Sequence, residues 1–439
     1  MSRHSVFHEI NIKERSVLVL IEPDEAMRPY ALEELTALAE TAGAEVVGDF
    51  YQRRDRPSPT HYIGSGKAEE LFAGVQDLSA NLVIVDSELS TVQVRNLEDT
   101  VKCRVIDRTQ LILDIFAQRA RTREGRLQVQ LAQLSYLLPR LSGLYTKFER
   151  QQGGIGVRGG AGETKLETDR RKVRETISDL EAQISEVRNQ RQQQRIQRRK
   201  LPYPSAAIVG YTSAGKSTLL NKLSGSEVYA DAQLFATLDP TTRRVDLPEG
   251  WSILLTDTVG FIRNLPTDLV ASFRATLEET IEADFLIHVV DASHPHREVQ
   301  HQAVLDVLDD LGVVGKPIIT VFNKCDLIRD SLFLQLLQED TPGSVCISAQ
   351  TGAGFPDLMA CVIETLQGLL IEVKVCLPYS KSDLVAKCYE QGRVDKIEYA
   401  EAGIFMEAHL TPDIAGKVAP YRITEEPSHA HGGVLETLP

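Results

Sequence analysis

The stretch Gly210-Tyr-Thr-Ser-Ala-Gly-Lys-Ser-Thr218 has the form GxxxxGK[ST]. It follows an apolar run, Ala206 to Val209, and opens a helical one, Thr218 to Leu223. A strand before and a helix after separate a phosphate-binding loop from a chance Gly-rich turn. The glycines let the backbone curl, so that several N–H groups face one phosphate chain. The helix N-terminus adds positive field at the same spot. Gly210, Tyr211, Thr212, Ser213, Ala214, Gly215, Lys216, Ser217 and Thr218 are therefore expected to wrap a nucleotide's phosphates. Lys216 should neutralise the terminal phosphates, and the Ser217 hydroxyl should ligate Mg²⁺.

The residues further on say which nucleotide. Leu254 to Gly260 reads LLTDTVG, an apolar strand ending in Asp257. A carboxylate there suits the second Mg²⁺-positioning group, reaching the metal through water. Gly260 can bring a bare N–H to a γ-phosphate where a side chain would obstruct. Pro317 to Asp326 reads PIITVFNKCD, a second strand ending in Asn323, Lys324, Cys325 and Asp326. The Asp326 carboxylate can accept two N–H bonds from guanine, a pair that adenine lacks. A site built on such bonds rejects the wrong base, because buried polar groups would be left unpaired. Cys346 to Ala349 reads CISA, a strand end whose Ser348 and Ala349 could cap the base. Ligands of open α/β sheets collect at the carboxyl ends of the strands, and these motifs all stand there. In that order they resemble the translation-factor-related GTPases. Many such enzymes place a Gln after the DxxG glycine to orient the attacking water. Phe261 stands here instead and cannot hydrogen-bond a water. Hydrolysis is then either completed by groups from a partner, the favoured reading, or served by another residue of this chain.

With 439 residues the chain has room for two to four domains. Its 42% apolar and 25% charged content is that of an ordinary soluble protein. No apolar run is long enough for a membrane span, although peripheral association stays open. The N-terminus lacks an apolar signal core. Six cysteines without CxxC spacing read as reduced thiols in the cytoplasm. The net charge of −14 is unevenly spread. Arg140 to Lys200 holds 15 Lys+Arg against 8 Asp+Glu, or +7, which leaves −21 for the remainder. A basic insert in an acidic protein localises attraction to polyphosphate, with a solvated charged helix as the plain alternative.

Strand and helix signals alternate from Ser16 to about Asp107: SVLVLIE, ALEELTALAE, AEVVGDF, NLVIVD and CRVID. This reads as a βα-repeating unit with a parallel sheet. Gly64-Ser-Gly-Lys67 inside it lacks full loop spacing and reads as a strand-to-helix turn rather than an anion site. Thr109 to Leu138 is one long helical pattern with Leu127, Leu131, Leu134 and Leu138 on one face. A second helix starts near Glu163, where Leu166, Val173, Ile177, Leu180, Ile184 and Val187 follow a/d heptad spacing. The two stripes predict an antiparallel helical hairpin. Ser142 to Lys165 between them holds seven glycines and packs no core. Its Lys147, Arg150, Arg158 and Lys165 are the candidate contacts to structured RNA; a plain connector is the alternative. A small α+β unit follows Leu369, and Thr424 to Pro439 has a disordered composition.

Several segments together resemble the HflX family of ribosome-associated GTPases: GSGKAEEL, DRTQLILDIFAQRARTREGRLQVQLAQLSYLLPRL (Asp107 to Leu141), GGIGVRGGAGETKLETDRR, GYTSAGKSTLLNKL, LFATLDPTTRR (Leu234 to Arg244), DTVGFI and NKCD. The resemblance extends over most of residues 10 to 370. It implies an α/β fold in which a P-loop GTPase domain (201–369) is preceded by an N-terminal α/β domain (1–108) and a helical hairpin (109–200). A small α+β domain (370–423) and a tail (424–439) follow. It further implies binding to the large ribosomal subunit and its RNA, GTPase stimulation there, and separation of stalled or idle ribosomes. Thr237 matches the switch threonine whose hydroxyl would join Mg²⁺. The family loop usually reads GYTNAGKS, and Ser213 replaces its Asn, which removes the ground for carrying over potassium activation. The glycine loop, RGGAGET here, is one residue longer than the family's RGPGET and has no proline.

The expectation is a cytoplasmic, monomeric GTPase with GTP as substrate and Mg²⁺ as cofactor, using Lys216, Thr237 and Gly260 for catalysis. A ribosome-assembly GTPase, an ATP-driven RNA remodeller and a non-hydrolysing nucleotide-gated adaptor are the competing readings.

Overall fold

The computed structural model describes residues 14–141, 161–198, 203–225, 234–264, 274–313, 315–390 and 392–423. The first unit runs β1 (Arg15–Ile21), α1 (Arg28–Thr41), β2 (Glu45–Gln52), α2 (Ser65–Asp77), β3 (Leu82–Val85), α3 (Thr91–Val101), β4 (Arg104–Asp107) and α4 (Arg108–Arg119). Its strands form a parallel sheet in the order β2-β1-β3-β4. Alternate side chains serve opposite faces. Leu18, Leu20, Leu82, Ile84 and Ile106 pack with α1 and α4, while Val17, Val19, Val83, Val85 and Val105 pack with α2 and α3. Helices on both faces explain why β3 is apolar at every position. The Gly64 turn is structural: its N–H donates to Gln52 Oε1 at 2.8 Å, and Lys67 pairs with Glu70.

The long helical pattern after Asp107 is broken in two. α4 ends at Arg119 and α5 (Arg123–Leu137) begins after a short turn. Periodicity could not show the break, because Thr122 makes it by capping: its hydroxyl accepts the Gly125 N–H at 2.9 Å. Leu127, with Leu131 and Leu134, then meets Leu180, Ile184 and Val187 of α6 (Ala161–Arg198). These parts of the two apolar stripes face each other, while Leu138, Val173 and Ile177 of the predicted stripes stand half-buried outside that cluster, and α6 continues through the polar Gln/Arg run to Arg198.

The second sheet is built from β5 (Ser205–Gly210), α7 (Lys216–Ser224), β6 (Thr241–Asp246), β7 (Ser252–Asp257), α8 (Arg274–Glu282), β8 (Phe285–Asp291), α9 (Arg297–Asp310), β9 (Ile318–Asn323), α10 (Ser331–Asp340), β10 (Val345–Cys346) and α11 (Phe355–Leu369). Its order is β10-β9-β8-β5-β7-β6, parallel except for β6 against β7. β5, β7, β9 and β10 all point their carboxyl ends at one edge, where a doubly wound sheet places its ligand. One apolar cluster runs without a break from the α1/α4 face of the first sheet to Tyr211, Phe235, Leu238, Val259, Phe261 and Ile262 of the second. The last unit is an antiparallel sheet, β11 (Ile371–Leu377), β13 (Gly403–Leu410) and β12 (Gly392–Ala400) in that order, with α12 (Ser382–Glu390) and α13 (Pro412–Val418) over it. The tail from 424 onwards lies outside the described residues.

Candidate nucleotide site

β5 delivers the chain to Gly210, and Gly215 turns it with φ +97° into the first residue of α7. A Cβ on Gly215 would run into the Asn323 amide, so a glycine is required by both conformation and space. Asn323 explains that crowding. Its Nδ2 donates to Ala214 O at 2.8 Å, and its Oδ1 accepts the Ala349 N–H at 2.9 Å. The Asn of NKCD thus buckles the phosphate loop to the Ser348-Ala349 turn. Ser348 is buried and its N–H donates to Ala353 O at 3.0 Å. Lys324, in left-handed backbone, reaches Asp291 at 2.6 Å, while Asp326 stands exposed beside it. Ser213 is also exposed and left-handed, whereas Thr212 is buried and its N–H donates to Phe261 O at 2.8 Å.

Lys216 is fully enclosed, with Nζ donating to Gly210 O at 3.0 Å and Tyr211 O at 2.7 Å. Burial lowers its pKa to about 8, with Asp257 acting the other way. Its neighbour Ser217 donates to Asp257 Oδ2 at 2.6 Å and lies 2.9 Å from Thr237 Oγ1. Thr237 Oγ1 also donates to Asp257 Oδ2 at 2.9 Å. Three oxygens from separate elements therefore converge in one place. Burial raises the Asp257 pKa, opposed by Lys216, Ser217 and Thr237. Asp257 Oδ1 is buried without a hydrogen-bond partner among the described residues. An oxygen-only cluster with an unsatisfied carboxylate oxygen suits a hard cation such as Mg²⁺. No group of three His, Cys, Asp or Glu side chains among the described residues offers a metal site, as expected where hydroxyls make up the set.

Gly260 lies against this cluster: a Cβ there would come within 2.8 Å of Thr212 Cγ2 and 3.0 Å of Lys216 Nζ. Next to it Phe261 is 1% exposed and packed into the shared core. Its N–H donates to Gly210 O at 3.1 Å, forming an isolated bridge between Tyr211 and Phe261.

The matching family models follow one another along the chain: "GTP-binding GTPase N-terminal" over residues 29–117, "GTP-binding GTPase Middle Region" over 119–198, "50S ribosome-binding GTPase" over 205–324 and "HflX C-terminal domain" over 334–423. The chain is 45% identical to GTPase HflX of Caldanaerobacter subterraneus subsp. tengcongensis over 414 residues, 94% of each protein. To GTPase HflX of Escherichia coli K12 it is 44% identical over 399 residues, 91% of this chain and 93% of the relative. The chain belongs to the HflX family of GTPases. Among solved structures, a GTP-binding protein from Sulfolobus solfataricus in complex with GDP is 24% identical, with 81% of this chain and 99% of that one covered and a TM-score of 0.42. The HflX architecture is the one expected: an α/β GTPase fold with N-terminal and C-terminal additions, acting on GTP.

Sequence reasoning missed several residues around the HflX nucleotide edge. Tyr30, Glu34, Asp86 and Arg108 of the first unit gather against Tyr211 and Arg263. No spacing rule links positions this far apart in the chain. Lys147, Arg150 and Arg158 lie outside the described residues, and so does the side chain of Lys165, which sits in the first turns of α6. No described helix is long and apolar enough to cross a membrane.

Proposed function

We propose that this HflX-family GTPase binds the large ribosomal subunit through its helical hairpin and uses GTP to separate or rescue stalled or idle ribosomes. The observation that carries the nucleotide half is the Ser217–Thr237–Asp257 oxygen cluster at the phosphate loop. Bound there, Mg²⁺ would neutralise charge developing on the β- and γ-phosphates. Residues Gly210 to Thr218 wrap the phosphates, and Lys216 supplies the fixed cation. Asp257 holds the two hydroxyls and positions the metal through water. Gly260 presents its N–H to the γ-phosphate, and Thr237 follows its presence. Asn323 and Lys324 brace the loops, Asp326 reads guanine, and Ser348 and Ala349 close over the base. Ser213 leaves no amide for a potassium ion.

The ribosomal half is supported by the "50S ribosome-binding GTPase" model over residues 205–324. It is also supported by the excess of Lys+Arg in Arg140–Lys200, 15 against 8 acidic residues. Phe261, packed in the core, offers no group to orient water, so stimulation by the partner follows. Supplying a missing transition-state group in trans can be worth about a thousandfold or more.

The test is GTP turnover alone and with purified subunits at low and high salt, together with sedimentation of whole ribosomes. Turnover should be slow alone and rise at least tens-fold, on the order of what trans-acting groups supply, with large subunits. The gain should weaken with salt as RNA counterions are displaced less favourably. Whole ribosomes should run as subunits when protein and GTP are both present. Fast intrinsic turnover that subunits leave unchanged would move the function to another target.

A further inference from the structure

Beside the nucleotide edge lies a buried ionic cluster that belongs to two units of the chain. Glu34, on α1, is 7% exposed. Its Oε1 accepts the Tyr211 hydroxyl. Its Oε2 accepts Arg108 at 2.6 Å and Arg263 Nε at 3.2 Å. Asp86 completes the set, accepting Arg108 at 2.5 Å and Arg263 at 3.4 Å. Arg108 in turn donates to the Arg263 carbonyl at 3.1 Å. Burial alone would lower the Arg108 pKa, but Asp86 and Glu34 more than offset it and hold it charged. The Tyr211 hydroxyl is fully used: it donates to Glu34 and accepts Tyr30 OH at 3.2 Å and the Arg263 N–H at 2.8 Å.

Tyr211 and Arg263 are not remote from the chemistry. Tyr211 stands inside the phosphate loop, and its carbonyl holds Lys216. Arg263 follows Gly260 by three positions, on the segment that bridges back to Tyr211 through Phe261. The polypeptide on either side of the γ-phosphate position is thus gripped by one carboxylate from another unit.

We propose that Glu34 is a positioning residue for GTP turnover, which sets the register of Gly260 against Lys216 by holding the Tyr211 hydroxyl and the Arg263 guanidinium together. It touches no substrate. Its effect falls on how well the loop is preorganised for the transition state, a quantity that reads out in kcat rather than in ground-state binding.

Tyr211→Phe removes one hydroxyl, and with it the bonds to Glu34, Tyr30 and the Arg263 N–H, at almost unchanged side-chain volume, so it is the first variant. Glu34→Gln, which risks stranding Arg108, is the second, and the double variant closes the cycle. All are made in the full chain. Steady-state GTP turnover gives kcat and KM, and thermal unfolding is followed in parallel. Each single variant should lower kcat about three- to tenfold, on the order of one buried hydrogen bond's worth lost from the transition state, with KM changed less than about twofold. The double variant should be no slower than the slower single one, since both act through the Glu34–Tyr211 contact. If Glu34→Gln fails to fold, Tyr211→Phe decides alone. A lowered Tm with kcat unchanged, a kcat that rises, or losses that multiply in the double variant would each overturn the assignment.

Discussion

Asp239, two residues beyond Thr237, holds the N-cap of α5 in a different part of the chain: its Oδ2 accepts the Thr122 N–H at 2.9 Å and the Arg121 N–H at 3.0 Å. The Thr122 hydroxyl bonds its other oxygen. Gly125 makes room, since a Cβ there would lie 2.5 Å from Asp239 Oδ1. The segment carrying Thr237 is therefore fastened to the start of α5.

Asp239→Ala should release that fastening. Loss of the hydrogen bonds that hold the Thr122 cap costs about 1–3 kcal/mol, so thermal unfolding should start about 2–4 °C lower. Limited proteolysis should cut sooner around Arg119 to Arg123. Equal midpoints and equal cleavage would mean the contact contributes nothing in solution.

Lys216 gives a pH prediction with a definite sign. Its ordinary value is 10.5, and burial brings it to about 8. In nucleotide-free protein the ammonium loses its proton as pH rises through about 8, so GTP affinity should fall above that point and binding there should take up a proton. Folding shows the complementary sign. Free protein loses stability as pH drops from the ordinary lysine range towards about 8, because the unfolded chain binds a proton that the folded one refuses. Calorimetry in buffers of different ionisation enthalpy measures the uptake. Lys216→Ala should abolish it and weaken GTP about a hundredfold, the worth of two charge-assisted bonds of about 1.5 kcal/mol. Identical proton uptake in both proteins would remove Lys216 from the phosphate site.

Asp326→Asn should shift preference from guanosine to xanthosine nucleotides. The carboxylate only accepts, whereas the amide can donate to the extra xanthine oxygen. Competition binding of GTP and XTP reads this directly. An unchanged ratio would show that another group recognises the base.

Shortening Gly153–Gly162 to a tight turn should spare basal GTP hydrolysis and abolish action on ribosomes. The segment is separate in sequence from every nucleotide motif. Sucrose-gradient profiles and phosphate release, measured on the same preparation, test the separation. Subunit splitting that survives the deletion would reduce the loop to a connector.

The phosphate loop, the Asp257 and Asn323 strand ends and the facing leucine stripes were legible in the chain itself. Each is a short-range pattern whose spacing follows from the period of a strand or helix and the geometry of one turn. Residue types alone could also show that Phe261 cannot serve as a water-orienting Gln. Other features have no local signature. Asn323 bracing Ala214 and Ala349, Asp239 holding the Thr122 cap of α5, and Glu34 meeting Tyr211 and Arg263 all join residues distant in sequence. Hydrophobic periodicity marks which face of an element is buried, but not what it is buried against. The first sheet packs its α1/α4 face on the nucleotide domain through a continuous apolar cluster. That packing excludes water from the Glu34 carboxylate and Arg108, leaving ion pairing as the way to keep them there. Only the docking of the two units, set by shape and burial across the whole chain, decided which charges would meet.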